Sequence, residues 1–322
     1  MRVSVVIPCY NEEKVIRSTF EKLYEVLNEY CKEKGYEYEL IFVNDGSKDA
    51  TLNILKGLEE KYDVVRYVSF SRNFGKEAGM YAGLKYSSGD AVVIIDADLQ
   101  HPPELIPKLI ESFKEGYDQV IARRNRKGDS KFKSSLSKLY YKIVNNMIDV
   151  KLTDGSGDFR ILSRKAVDAV LSLPENNRFS KGIFSWIGFN EKTIDYDNQL
   201  RAEGESKWTL KSLIQYGFDG ILSFNNKPLR IIIYIGFIIM LLSLVYVIWT
   251  FVRILIHGID VPGYFTLITA ILIIGGLQLV ALGIIGEYIG RIYYEVKKRP
   301  HFIVEDTNII KEDKNIKTEE KN

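Results

Sequence analysis

At 322 residues the chain is long enough for one sizeable core and something extra. Its 44 Lys and Arg against 42 Asp and Glu leave a formal charge of +2, so no basic field argues for a nucleic-acid partner. Two cysteines, Cys9 and Cys31, are too few for a disulfide framework and fit a reduced, cytoplasm-facing domain, while the scattered His101, His257 and His301 supply no zinc cluster.

In chain order, the opening MRVSVVIPCYNEE lacks the long apolar segment and cleavage site of a signal peptide, so the N-terminal part is expected to stay inside the cell. Val3 to Ile7 predicts a strand broken by Pro8, and Asn11-Glu12-Glu13 starts a helix with Val15, Ile16, Phe20, Leu23, Val26 and Leu27 at helical spacing. Leu40 to Val43 predicts a second strand, ending at Asn44-Asp45-Gly46-Ser47 before a helix from about Lys48 to Tyr62. Val64 to Phe70 is a third, followed by a polar loop with Gly75 and a helix to about Tyr86. Ala91 to Ile95 is a continuously apolar fourth strand and Gln119 to Ala122 a fifth. This alternation predicts an α/β fold, a doubly wound parallel sheet covered on both faces.

Every polar cluster named so far follows a strand, which brings Tyr10, Asp45, Asp96 and Asp98 to one rim of the sheet, where ligands of open α/β sheets gather. Asp96 and Asp98 lie one residue apart at the end of the fourth strand, and alternation in an extended chain points them to one side. Two readings follow: a pair holding a hard divalent cation and a diphosphate, or a strand end capped by Asp98 before a helix opened by Pro102 and Pro103. Asp45 is likewise a ligand contact or a turn and helix cap. Neither Gly-x-Gly-x-x-Gly after the first strand nor a P-loop motif occurs, which disfavours a dinucleotide fold and a P-loop ATPase.

Composition shifts after Arg230. Ile231 to Val252 and Val261 to Gly286 carry no charged residue, and each is long enough to cross a hydrocarbon core of ~30 Å. Lys227 and Arg230 before them, and Arg291, Lys297, Lys298 and Arg299 after, place both flanks on the cytoplasmic side. Ahead of them, Thr209 to Phe224 fits an amphipathic helix at the membrane surface or a core helix. Gly286 and Gly290 form a Gly-x-x-x-Gly pair that permits self-association into a homo-oligomer, and the charged tail after Pro300 is expected to be flexible.

Six stretches in this order resemble glycosyltransferase family 2: IPCYNEE at Ile7 to Glu13, VNDGSKDAT at Val43 to Thr51, SFSRNFGKEAGMYAGL at Ser69 to Leu84, DADLQHPPE at Asp96 to Glu104, GSGDFRILSRKAV at Gly155 to Val167, and GESKW at Gly204 to Trp208. With the two terminal spans, the chain resembles more narrowly the bacterial enzymes that load a sugar onto undecaprenyl phosphate, relatives of dolichyl-phosphate mannose synthase. The resemblance implies a GT-A-like, mainly parallel fold. Its expected parts are a cytoplasmic catalytic domain over 1–208, an interfacial segment over 209–228, two transmembrane helices within 229–290 (about 230–253 and 262–287), and a basic juxtamembrane segment with a flexible tail over 291–322. The implied location is the bacterial inner membrane, with both termini cytoplasmic.

The resemblance also implies site residues. Pro8, Tyr10, Glu12 and Asp45 would hold the nucleoside of a nucleotide sugar, with Asp96 beside it. Asp96, Asp98 and Gln100 would match the metal and diphosphate motif, with magnesium or manganese as the ion. Arg123, Arg201, Ser206 and Lys207 match positions that embrace phosphates, although Arg123 in RRNRK also fits a solvated charge run. Lys131 and Lys133 are placed to meet a lipid phosphate or to sense bulk lipid charge. Asp158 is the implied catalytic carboxylate, against the alternative that it caps or pairs with Arg160 or Arg164. The implied reaction moves a hexose, with UDP as the favoured carrier, to polyprenyl phosphate with inversion. A processive polysaccharide synthase would need a Gln-x-x-Arg-Trp motif and more spans, and a non-catalytic membrane adaptor would have no use for Asp96, Asp98 and Asp158 together.

Overall fold

The structure, a computed structural model of the chain, describes residues 1–125, 145, 155–173, 175–197, 227–257 and 263–309. The expected alternation is present: β1 (Arg2–Cys9), α1 (Ile16–Lys34), β2 (Glu37–Asn44), α2 (Thr51–Glu59), β3 (Val65–Phe70), α3 (Lys76–Tyr86) and β4 (Ala91–Ile94). A 3-10 turn, Pro103–Leu105, runs into α4 (Ile106–Lys114), and β5 (Gln119–Arg124) follows. Beyond it come β6 (Ser156–Ser163), α5 (Arg164–Ser172), α6 (Ser180–Trp186), β7 (Glu191–Tyr196), α7 (Lys227–His257), α8 (Tyr264–Lys297) and β8 (Val304–Thr307).

The strands form one sheet in the order β7-β5-β6-β4-β1-β2-β3-β8. β3, β2, β1 and β4 are mutually parallel, as are β5 and β7, whereas β6 runs antiparallel between β4 and β5 and β8 runs antiparallel along β3. The apolar runs of β1, β2 and β4 are buried from both sides. Val3, Val5, Ile7, Leu40, Phe42 and Val93 face α1, α2 and α4 through Phe20, Leu23, Leu55 and Leu109. Val6, Ile41, Val43, Val92 and Ile94 face α3 and α5 through Met80, Leu84, Ala166 and Val170. Burial of apolar surface on two faces is what makes a strand with no polar alternation stable in water.

Pro8 does not break β1, which continues to Cys9. Pairing of β1 with β4 ends at Val6↔Ile94, while pairing with β2 runs on through Pro8↔Val43. Proline tolerates a stretch with a neighbour on one side only, since it lacks the N–H that a second ladder would use.

α7 and α8 form the expected hairpin, and nearly all their described apolar side chains are exposed: Leu255 is 70% and Leu279 is 71% exposed. A patch of that extent needs a nonaqueous partner, and both helices are long and apolar enough to cross a membrane. At 34 residues α8 is ~50 Å long, more than a ~30 Å hydrocarbon core requires. In its last turns Glu295 Oε1 accepts the Asn176 backbone N–H at 2.7 Å, joining the hairpin to the sheet domain. Gly275, Gly276, Gly283, Gly286 and Gly290 face open space, so no close contact with α7 explains them.

The expected flexible tail is corrected over 301–309. His301 packs on Tyr81 with centroids 4.7 Å apart, and Phe302 stacks on Phe70 at 4.8 Å. β8 then pairs with the edge of β3, fixed by Lys56 to Asp306 at 2.5 Å and by Asn308 Oδ1, which accepts the Tyr67 N–H at 2.8 Å. The polar run Val304–Thr307 has no strand pattern of its own; the unpaired edge of β3 confers its conformation. The segments 198–226 and 310–322, including the expected surface helix, lie outside the described residues.

Candidate active site

The loops after β1 and β2 are cross-linked by reciprocal hydrogen bonds. The Asn11 N–H donates to Ser47 Oγ at 2.9 Å, and Asn11 Oδ1 accepts the Lys48 N–H at 2.9 Å. The Glu12 N–H donates to Thr51 Oγ1 at 2.9 Å, the Glu13 N–H to Asp49 Oδ2 at 3.1 Å, and Glu13 Oε2 accepts the Ala50 N–H at 3.0 Å. Gly46, with φ of 62°, lies against the backbone of Arg72, where a Cβ would come within 2.3 Å of Arg72 C. Only glycine allows both the positive φ and that approach.

Asp45 is 4% exposed, and its two oxygens accept the N–H groups of Phe74 at 2.6 Å and Gly75 at 2.9 Å. Burial pushes its carboxyl above the usual range, against the opposing pull of those amides and of Arg72. It pins the start of α3, and a ligand contact through Asp45 must share an oxygen already in use. Pro8, Tyr10 and Glu12 lie partly exposed beside it at the carboxyl end of β1.

β4 ends at Ile94, short of the aspartates. The chain turns at Ala97 and Asp98, with Thr19 Oγ1 donating to Ala97 O at 2.6 Å and Leu99 left-handed at φ of 56°. A bulky residue in that region carries backbone strain. The strand alternation expected to align Asp96 with Asp98 therefore does not reach Asp98. The two stay on one rim by sequence adjacency, and Tyr196 is pushed up to about 12 by burial and by both carboxylates, against Arg124. Asp98 is oriented by Gln100, whose backbone N–H donates at 3.1 Å and whose Nε2 donates at 2.6 Å.

The central contact is an ion triad. Lys76 Nζ lies 2.7 Å from Asp96 Oδ1 and 2.6 Å from Asp158 Oδ2. Three elements converge here: Lys76 begins α3, Asp96 follows β4, and Asp158 lies on β6, a strand where a loop was expected. Desolvation opposes the charged forms, but the Lys76 ammonium overcomes it and holds the carboxyls of Asp96 and Asp158 below their ordinary range. Desolvation likewise pulls Lys76 down, and Asp158 and Asp96 outweigh it, so the ammonium is held above the usual lysine value. Asp158 thus bonds to Lys76 and not to Arg160 or Arg164, whose donated bonds go to Gly157 O at 2.8 Å and to Gly89 O at 2.6 Å. On the other side of Asp96, His101 Nε2 lies 3.7 Å from Oδ2, and His101 Nδ1 lies 2.5 Å from the Tyr196 hydroxyl.

Next to Lys76, Glu77 accepts the Ser180 backbone N–H at 3.2 Å and the Ser180 hydroxyl. Burial raises its carboxyl to about 7, opposed by Ser180 and Arg178 and assisted by Asp158. Arg178 lies over the Tyr81 ring at 4.4 Å, and that ring also meets His301 and Phe302. α3 therefore runs from the ion triad to the segment that returns from the membrane hairpin.

Arg123 is gripped by Asp195 through Nε at 2.5 Å and Nη2 at 2.9 Å, which lowers the Asp195 carboxyl. Lys131, Lys133, Arg201, Ser206 and Lys207, together with Asp154, lie outside the described residues. Sequence reasoning missed Lys76, Glu77, His101 and Tyr196. The first two sit in the SRNFGKEAG stretch just after β3, on the same rim, and His101 lies three residues past Asp98, so position relative to strand ends was the available signal.

The donor set around Asp98 fits a hard divalent cation. No group of three or more His, Cys, Asp or Glu side chains able to hold a metal occurs among the described residues, but magnesium is commonly bound by one or two carboxylates completed by water and substrate phosphates. Two adjacent carboxylates, one oriented by Gln100, suit that arrangement.

Residues 4–171 match the profile of glycosyl transferase family 2, and residues 227–292 match that of the GtrB C-terminal hairpin. CsbB of Bacillus subtilis (strain 168) is 55% identical over 307 residues, which cover 95% of this chain and 92% of that protein. The SfII prophage-derived bactoprenol glucosyl transferase of Shigella flexneri is 42% identical over 309 residues, 96% of this chain and 99% of that one. Among solved structures, glucosyl-3-phosphoglycerate synthase from Mycobacterium tuberculosis is 20% identical with a TM-score of 0.44, over 69% of this chain and 78% of that one. The chain belongs to glycosyl transferase family 2 and is a glycosyltransferase that carries the GtrB C-terminal hairpin.

Proposed function

We propose that this enzyme transfers a hexose from a nucleotide sugar, with UDP as the favoured carrier, to a polyprenyl phosphate at the cytoplasmic face of a bacterial inner membrane. The observation that carries the reading is the convergence of Asp96 and Asp158 on Lys76, in a domain tied through Asn176 and Glu295 to an exposed apolar hairpin. A hairpin of this kind keeps a soluble active site beside an acceptor that cannot leave the bilayer. The bactoprenol acceptor in the name of the Shigella flexneri relative supports that choice and makes glucose the first sugar to test.

Pro8, Tyr10, Glu12 and Asp45 line the nucleoside side, with Asp45 shaping the wall through Phe74 and Gly75. Asp96 and Asp98, with Gln100 orienting the latter, are the residues placed to hold magnesium or manganese, which when bound would supply positive charge to the leaving diphosphate. Arg123, oriented by its pairing with Asp195, and Lys131, Lys133, Arg201, Ser206 and Lys207 make up the proposed phosphate contacts. An acceptor phosphate oxygen attacks the anomeric carbon in line. The new C–O bond forms as the bond to the diphosphate breaks, the leaving group takes the electron pair, and the configuration inverts.

A phosphate monoester has its second pKa near ~6, so the acceptor arrives largely ionised and a strong general base is unnecessary. Asp158 instead orients the acceptor and stabilises positive charge growing at the anomeric carbon. The test is incubation of purified protein with magnesium, UDP-glucose and other common donors, and undecaprenyl phosphate, followed by mass analysis. A polyprenyl-phosphate hexose is the expected product; a folded, metal-replete protein inert toward all of them contradicts the reading.

A further inference from the structure

Lys76 is held in place from several directions. It opens α3, whose preceding Gly75 N–H is bonded to Asp45. α3 is drawn against β1 because Gly79 and Gly83 carry no side chain: a Cβ on Gly83 would come within 2.0 Å of Val6 Cγ1. An ammonium has three N–H donors, and Asp96 and Asp158 use two of them. The Lys76 side chain is 45% exposed, against 15% for Asp158, and among the described residues only those two carboxylates bond to its Nζ.

In the reading above, Asp96 belongs with Asp98 to the donor diphosphate side and Asp158 to the acceptor side, and Lys76 touches both carboxylates. A monoester dianion brought to Asp158 meets two carboxylates of its own sign, and Lys76 is the cation in contact with both of them. We propose that Lys76 is the acceptor-phosphate ligand: its third N–H binds an oxygen of the monoester, so that the acceptor is selected as an anion and its attacking oxygen is held beside Asp158. This assignment rests on the polyprenyl phosphate reading above. A donor diphosphate offers the same oxygen chemistry, and the location of Lys76 against Asp158 favours the monoester.

Steady-state kinetics on the full-length enzyme, varying undecaprenyl phosphate and nucleotide sugar separately, tests it with Lys76→Gln and Lys76→Arg. Lys76→Gln is expected to raise the acceptor KM at least tenfold and the nucleotide-sugar KM less than threefold, with Lys76→Arg recovering most of the loss. An equal or larger rise in nucleotide-sugar KM would assign Lys76 to the diphosphate and overturn the proposal. A fall in kcat with both KM values unchanged would leave Lys76 a counter-ion only and overturn it as well.

If the Gln variant fails to fold, the side-chain nitrogen resonance of Lys76 in wild-type protein labelled at lysine Nζ takes its place. Farnesyl phosphate should shift that resonance where farnesol and UDP do not. A shift with UDP alone, or with neither phosphate, counts against the assignment. A wild-type enzyme inert toward polyprenyl phosphate removes the acceptor reading and this inference together, whereas an active wild type with an unaltered variant KM removes the inference alone.

Discussion

The two halves of the carboxyl rim use the same residue types for opposite ends. After β1 and β2, Asn11, Glu13, Asp45 and Asp49 spend their side-chain oxygens on backbone N–H groups of a neighbouring loop. After β4 and on β6, Asp96 and Asp158 turn theirs toward one side-chain ammonium, that of Lys76. The first half builds the rim, and the second half gathers charge at it. Polar residues of the rim therefore divide by what their oxygens already hold, which is a geometric property.

Substitutions that remove one carboxylate from each half sharpen this contrast most. Asp158→Asn is expected to lower turnover by roughly 10²–10⁴-fold with little change in the unfolding midpoint, measured by glycolipid formation and thermal melting. Asp45→Ala should do the reverse, costing about 2–3 kcal/mol of stability because two N–H groups at the start of α3 lose their acceptors. Chemical denaturation reads that cost. A stable Asp45→Ala protein, with all of its defect in nucleotide binding, would show that the builders are ligands after all.

Glu77 offers a pH-dependent version of the comparison, since it stands between the triad and the hairpin. Its folded-state value of about 7 lies above the ordinary glutamate value of 4.5, so the folded protein holds the extra proton. Its contribution to stability is therefore complete below about 4.5 and is lost as pH rises through about 7. Allowing for its partial exposure, the loss is about 2 kcal/mol. Melting temperatures at pH 6 and pH 8 should differ less in Glu77→Gln than in the wild type, and an unchanged difference would locate the pH effect elsewhere. The smallest effect is expected at Arg123→Lys, where an exposed bidentate pair with Asp195 is worth under about 1 kcal/mol. Phosphate contact by Arg123 predicts that this variant raises the nucleotide-sugar KM while the melting temperature barely moves.

Much of this was legible in the sequence where burial alone decided the outcome. The unbroken apolar runs of β1, β2 and β4 could satisfy their side chains only with helices on both faces, and the two charge-free runs are long and apolar enough to cross a membrane. Antiparallel β6 was not legible, because it carries Arg160 inside the sheet, 3% exposed and 4.1 Å over the Phe184 ring, where a pattern of hydrophobicity predicts no strand. β8 was illegible for another reason, since Val304–Thr307 takes its conformation from the edge of β3, more than two hundred residues away. At the site, the placement of Asp96 at the carboxyl end of β4 followed from the apolar run before it, but the lysine it shares with Asp158 did not. A lysine after a glycine in a loop carries no sign of which carboxylates it will meet until α3, β4 and β6 are packed together.

The most direct test of the central claim, that Asp158 at the Lys76 triad is the reacting carboxylate of a sugar transfer to polyprenyl phosphate, is a paired product analysis. Wild type and Asp158→Asn, matched for melting temperature, are given magnesium, UDP-glucose and undecaprenyl phosphate, and the lipids are weighed by mass spectrometry. The account predicts undecaprenyl-phosphate hexose from the wild type and at most a hundredth as much from the variant. Equal product from both, or glucose released to water with no glycolipid from either, would contradict it.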